Sequence, residues 1–152
     1  MAFLHWRCPP GALAGRLPPA VTLDAQEGST WVSAVALTMR RIRVLGLPAW
    51  PQVPELNLRT YATRAGRPGI VFLDVDAPRT AVPLGRLQGL PYHAAQVDVG
   101  PGGADVRPRS GPRFAARWRP GREADDAPDR FLTERYCATS ARTRRPRRSA
   151  QA

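Results

Sequence analysis

Four chemically capable side chains alternate along one short stretch. Glu55, Asn57, Arg59 and Tyr61 are separated by Leu56, Leu58 and Thr60, so a β-strand here puts all four on one face. A carboxylate, a carboxamide, a guanidinium and a phenol suit anion binding and acid–base work. Either that face is washed by solvent or it lines a pocket. Same-face neighbours on a strand lie about 6.6 Å apart, which separates Glu55 from Tyr61 by about 20 Å at the backbone. One small ligand cannot meet all four. The expected binding group is Arg59 as a carboxylate or phosphate clamp, with Asn57 and one of Glu55 or Tyr61.

Further along, Tyr92 and His93 follow a Gly89-Leu90-Pro91 turn. His93 could act as an acid or base near neutral pH. Glu55, Tyr92 and His93 are therefore the catalytic candidates. Each has a plainer reading: Glu55 pairing with Arg59, Tyr92 as a core aromatic, His93 as one histidine beside a turn. Asp74 and Asp76 are either paired carboxylates or a solvated strand end.

Positioning these groups requires a sheet. Residues 1–8 read as a short strand. Pro9 and Pro10 open a brief helix to about Leu17, stopped by Pro18 and Pro19. Val21–Leu23 reads as a strand and Gln26–Ser29 as a turn. Thr30–Val44 is the longest β-like run. It is apolar on both faces as far as Ala36, which predicts a central strand covered on each side. Gly46–Pro54, with three prolines, reads as a loop. Glu55–Thr63, a turn over Arg64–Gly69 and Ile70–Asp76 make an antiparallel hairpin. Simple alternation puts Val71, Leu73 and Val75 on one side of its second strand. Ile70 and Phe72 then share the other side with Asp74 and Asp76.

Pro78–Gly89 carries Ala81, Leu84 and Leu87 at helical spacing, with Pro83 either kinking the helix or delaying its start. Tyr92–Val99 alternates again. Ala104–Arg107 and Arg113–Trp118 form a last hairpin. Pro120–Asp129 is a polar loop, and Phe131–Cys137 is a short helix or a strand start. The expected fold is α+β: mainly an antiparallel β-barrel or strongly curved sheet with two short helices.

Composition narrows the function. All 23 basic residues are arginine, against 12 acids, for a net charge of +11. A surface selected for nucleic acid usually mixes Lys and Arg, so this usage argues against such a partner. The charge is uneven: residues 138–152 hold five arginines and no acid. That tail lacks periodicity and is expected to be disordered, leaving residues 1–137 as a single domain. Its arginines could bind nucleic acid weakly and without specificity. Two cysteines and two histidines, without ligand spacing, predict no metal site, and no cofactor is expected. No run approaches a membrane span and no signal peptide opens the chain, so a cytoplasmic setting is expected.

Several phrases together resemble the YqjF-like family of uncharacterised bacterial proteins, domain of unknown function 2071. They are His5-Trp6-Arg7, Pro9-Pro10 with Leu13 and Leu17-Pro18-Pro19, Pro54–Tyr61, Gly89–His93, and Phe131–Tyr136. The family is grouped with the acetoacetate decarboxylase-like superfamily. The resemblance implies a β-rich fold with an internal cavity, and makes Glu55 similar to the superfamily's pocket glutamate. Those decarboxylases use a lysine after a Gly-aromatic-Pro turn, activated by a second lysine. Here the positions hold Tyr92 and His93, and the chain has no lysine. Amine-catalysed decarboxylation is excluded.

Proteins of this resemblance continue past the Phe131–Tyr136 phrase. A truncated or frame-shifted product is therefore expected, with an open sheet edge available for self-association. The leading functional expectation is a barrel pocket that binds a small organic anion. The alternative is an enzyme of unknown reaction using the acid–base residues of that pocket.

Overall fold

The computed structural model describes residues 1–119, 121, 127–133 and 138–140. In chain order its strands are β1 (Ala2–Cys8), β2 (Thr22–Leu23), β3 (Thr30–Val44), β4 (Leu47–Arg64) and β5 (Arg67–Ala77). Helix α1 (Val82–Leu87) leads to β6 (Tyr92–Gly100), β7 (Gly103–Pro108) and β8 (Phe114–Arg117). Helix α2 (Ala127–Thr133) and β9 (Ala138–Ser140) follow. The sheet order is β1-β3-β4-β5-β6-β7-β8, with β2 alongside β4 and β9 alongside β5.

Pairing is antiparallel except where β5 meets β6 and β9. The β5–β6 joint is parallel because the segment carrying α1 is long enough to return the chain to the same end of the sheet. β6 pairs with β5 up to Ala94 and with β7 from Ala95 onward. The meander β6–β8 thereby folds back over β3 and β4, where Ala104 and Val106 pack on Ala34, Ala36 and Leu56. The expected strongly curved sheet with short helices is the observed architecture, curled into a half-barrel. β3 is central, between β1 and β4, and Ala34, Val35 and Ala36 are buried on both faces.

The long hairpin β3–β4 turns at Leu45–Gly46, and β4–β5 turns at Ala65–Gly66. All four residues have positive φ, as a tight two-residue hairpin turn needs. The first of these turns corrects the expected loop over Gly46–Pro54, because β4 already begins at Leu47. The near half of β4 has no β5 partner, because β5 pairs with β4 only from Leu56, and this edge tolerates a proline whose nitrogen faces it. A proline on an open edge forfeits no ladder bond.

The helix expected after Pro9 is two 3₁₀ turns, Pro10–Ala12 and Ala14–Arg16, which bury Leu13. Pro83 lies in the first turn of α1 and delays its start rather than kinking it. Phe131–Thr133 are helical; residues 134–137 lie outside the described residues. The tail was expected to be disordered from residue 138. Instead Ala138–Ser140 pair in parallel with Ile70–Phe72. Backbone pairing along an unfilled edge of β5 needs no apolar alternation, so the composition of the tail gave no sign of it. Residues 141–152 lie outside the described residues.

One irregularity decides which side chains share a face. Leu58 opposes Asp74, yet Arg59 opposes Phe72, so Leu73 is an extra residue, a β-bulge. Past the bulge the alternation of β5 changes sides. Asp74 and Asp76 stand with Leu58 and Leu56, while Val75 stands with Asn57. Simple alternation put the aspartates beside Ile70 and Phe72; the bulge corrects that.

Candidate functional site

The two faces of the curled sheet carry different chemistry. On the helix side, Glu55, Asn57, Arg59 and Tyr61 form the row expected from the sequence, and none is more than 8% exposed. Solvent does not wash this face. Val53, Val75, Ala77, Ala81, Val82 and Tyr92 pack together at one end, under α1. Tyr61, Ile70 and Leu132 pack at the other, against α2. Burying each of the larger side chains contributes about 1.5–3 kcal/mol.

The row divides into two bonded groups, in keeping with its length. At the α1 end, Oε1 of Glu55 accepts from Nδ2 of Asn57 at 3.1 Å. Its Oε2 accepts from the Tyr92 hydroxyl at 2.6 Å. Burial, the Glu55 charge and this hydrogen bond all push the Tyr92 phenol above its ordinary range. At the α2 end, the Tyr61 hydroxyl and Nη2 of Arg59 both donate to the Leu132 carbonyl, at 2.7 and 3.1 Å. The Arg59 guanidinium also lies over the rings of Phe3 and Tyr61.

A relay runs inward from β1. His5 Nδ1 lies 2.6 Å from Ser33 Oγ, which lies 2.6 Å from the Tyr61 hydroxyl. The Tyr61 proton goes to Leu132, so Ser33 donates to Tyr61 and His5 donates through Nδ1 to Ser33. Two buried polar atoms of the row have no partner among the described residues: Asn57 Oδ1 and Arg59 Nε. Glu55 and Arg59 form no ion pair with each other, so the simplest structural account of the row does not hold. A hollow of about 110 Å³ between α1 and the sheet touches the Tyr92 ring.

The concave side holds a cleft of about 590 Å³. Ala34, Leu56 and Leu58 form its apolar floor, and Phe114 adds a wall. Asp74 and Asp76 reach it from β5 because of the bulge. His93, opposite Asp76 in the ladder, bonds through Nδ1 to Oδ1 of Asp74 at 2.5 Å. Arg86 and Arg109 also line it, and Nε of Arg86 donates to the Tyr92 carbonyl. Partial burial, then the neighbouring Asp74 charge, raise the Asp76 carboxyl above its ordinary value, against the pull of His93.

Tyr92 thus joins Glu55, whereas His93 does not. Consecutive residues of a strand face opposite ways, and the two sit on opposite sides of the sheet. Ser33, His5 and the Leu132 carbonyl were missed as partners of the row. Strand register brings in Ser33, opposite Arg59, and His5, opposite Ser33; the packing of α2 on the sheet brings in the Leu132 carbonyl. Among the described residues no helix is long and apolar enough to cross a membrane, and no cluster could hold a metal ion.

The chain is 34% identical to the uncharacterized protein YqjF of Bacillus subtilis, over 88% of its own length and 62% of that protein's. The enduracididine biosynthesis enzyme MppR shares the fold at 18% identity. With HEPES bound, the TM-score is 0.59 over 82% of this chain and 55% of MppR. Complexed with pyruvate, it is 0.58 over 84% and 57%. A crystal structure of acetoacetate decarboxylase from Legionella pneumophila aligns at 15% identity with a TM-score of 0.46, over 68% of this chain and 40% of that one. The chain therefore spans a little over half the length of the MppR structures. The model of DUF2071, an uncharacterized conserved protein family, matches residues 1–150, and the chain belongs to that family.

Proposed function

We propose that this protein binds a small organic acid within the helix-side row, with Arg59 and Asn57 as the polar contacts. The observation that carries this reading is the pair of unpartnered buried atoms, Asn57 Oδ1 and Arg59 Nε. They lie two residues apart on one strand face. One is an acceptor and the other a charged donor, and buried groups of this kind are costly to leave unpaired. A ligand with a carboxylate beside a hydroxyl offers the complementary pair: the carboxylate accepts from Arg59 and the hydroxyl donates to Asn57. The pyruvate complex of MppR supports the size class. With no lysine in the chain, no side chain here forms a Schiff base with a keto acid.

Isothermal titration with pyruvate, lactate and longer 2-oxo and 2-hydroxy acids tests this. Arg59→Met keeps the aliphatic stem, and Asn57→Leu keeps the volume. Each is expected to weaken binding about ten-fold, the loss of one charge-assisted or buried hydrogen bond. Absence of saturable binding by every acid, or unchanged affinity in both variants, sinks the reading.

A second reading makes the row catalytic, and the 2.6 Å Tyr92–Glu55 bond favours it. Tyr92 keeps its proton, which leaves Glu55 as the base. Exchange of the pyruvate methyl protons into D₂O, followed by NMR, reports such proton abstraction. The expected result is catalysed exchange that Glu55→Gln abolishes; exchange at the buffer rate counts against it.

A further inference from the structure

The concave cleft takes no part in that reading. We infer that it is a second binding site, for a small primary amine that also carries a carboxylate.

Its volume of about 590 Å³ falls within the usual small-molecule range of roughly 300–1,000 Å³. Its floor is apolar, and its ionisable side chains come from separate elements: Asp74 and Asp76 from β5, His93 from β6, Arg86 from α1 and Arg109 from the β7–β8 connection. In a chain of net charge +11, two carboxylates two residues apart on one strand face are an exception to the surrounding field. His93 already occupies Asp74, whereas the Asp76 carboxylate has no side-chain hydrogen bond to a described residue. An ammonium group placed between them gains a free carboxylate and a second charge within about 7 Å. The guanidinium of Arg109 supplies the opposite sign for an acid group. Leu56, Leu58 and Phe114 receive the carbon chain between the two ends. A simple anion meets two like charges here, and a simple cation meets two guanidiniums. A ligand bearing both signs matches both.

Ligand-observed NMR titration with ω-amino acids of two to six carbons tests this, with n-alkylamines and alkanoates of equal length as controls. At least one amino acid is expected to bind saturably, about ten-fold more tightly than either control. Asp76→Asn is expected to weaken it about ten-fold, and Arg109→Ala to erase its advantage over the matched amine. Arg59→Met, on the opposite face, is expected to leave this binding unchanged while it weakens organic-acid binding about ten-fold. The proposal fails if no amino acid saturates the protein, if amine or acid alone binds as well, or if Asp76→Asn has no effect. It also fails if Arg59→Met abolishes the binding, because the ligand then sits on the helix side.

Discussion

The Tyr92 hydroxyl donates to Glu55 across 2.6 Å, bridging β6 to β4 over the intervening strand β5. The carboxylate it satisfies is buried, with Asn57 as its other partner. Tyr92→Phe leaves half of that carboxylate without a donor. A destabilisation of about 1–3 kcal/mol is expected in urea denaturation at neutral pH.

The same bond has a pH signature. An unfolded tyrosine ionises near 10.0, whereas folded Tyr92 holds its proton to higher pH. The folded state therefore binds more protons above pH 10, and stability falls as pH rises through that region. The stability gap between wild type and Tyr92→Phe is expected to be complete below pH 10 and to narrow above it. A constant gap from pH 7 to 11 would argue against the assigned bond.

Gly85 lets the ring lie where it does. A Cβ built at residue 85 would fall 2.3 Å from Cγ and Cδ2 of Tyr92. Gly85→Ala forces the ring or α1 to move, at a cost of about 1–3 kcal/mol. In a Tyr92→Ala background most of that cost should vanish, which a double-mutant cycle of unfolding free energies reads directly.

Asp76 is expected to behave in the opposite way to a stabilising carboxylate. Its folded pKa lies above the ordinary 3.8. The folded state then binds more protons just above that value, so ionised Asp76 opposes folding at neutral pH. Asp76→Asn should melt at or above the wild-type temperature at pH 7, and match it below pH 3.8. A variant clearly less stable at pH 7 would show that the carboxylate is held by a favourable partner.

One carbonyl of helix α2 receives two hydrogen bonds from the sheet. Leu132 O lies in its last turn, where backbone acceptors lack intrahelical donors, and it receives both Tyr61 and Arg59. The guanidinium also complements the negative end of the helix. Tyr61→Phe and Arg59→Met are each expected to cost about 1 kcal/mol, less than additively because they share an acceptor. Amide exchange should quicken at residues 127–133 in both, and most in the double variant.

Much of the architecture was legible from residue type. Alternation over 55–61 located β4 and its polar face, the turns at Gln26–Ser29 and Arg64–Gly69 followed from Gly28 and Gly66, and family phrases pointed to the fold. The errors share a cause: they depend on which edge or register a strand meets. The prolines of 46–54 read as a loop because nothing local reveals a free edge. Three residues of the tail pair with β5 through backbone alone. Asp74 and Asp76 were placed beside Phe72 because a bulge leaves no mark on composition. Tyr92 and His93 were weighed as neighbours in sequence, yet strand geometry makes them neighbours of different sites. The four-residue row was too long for one ligand by spacing alone, and it does divide at Arg59.

The extra residue in β5 has one more implication. With Leu73 present, Phe72 and Asp74 face opposite ways although two positions separate them. In a regular strand, adjacent residues face opposite ways. A chain lacking Leu73 would therefore keep every side chain of β5 on the face it occupies now. Leu73 is in that sense a spare letter: it can be lost without exchanging the contents of the two faces. What would go with it is the local bend. The residue governs how sharply the sheet curls, and so how wide the concave side opens, without choosing which groups stand there.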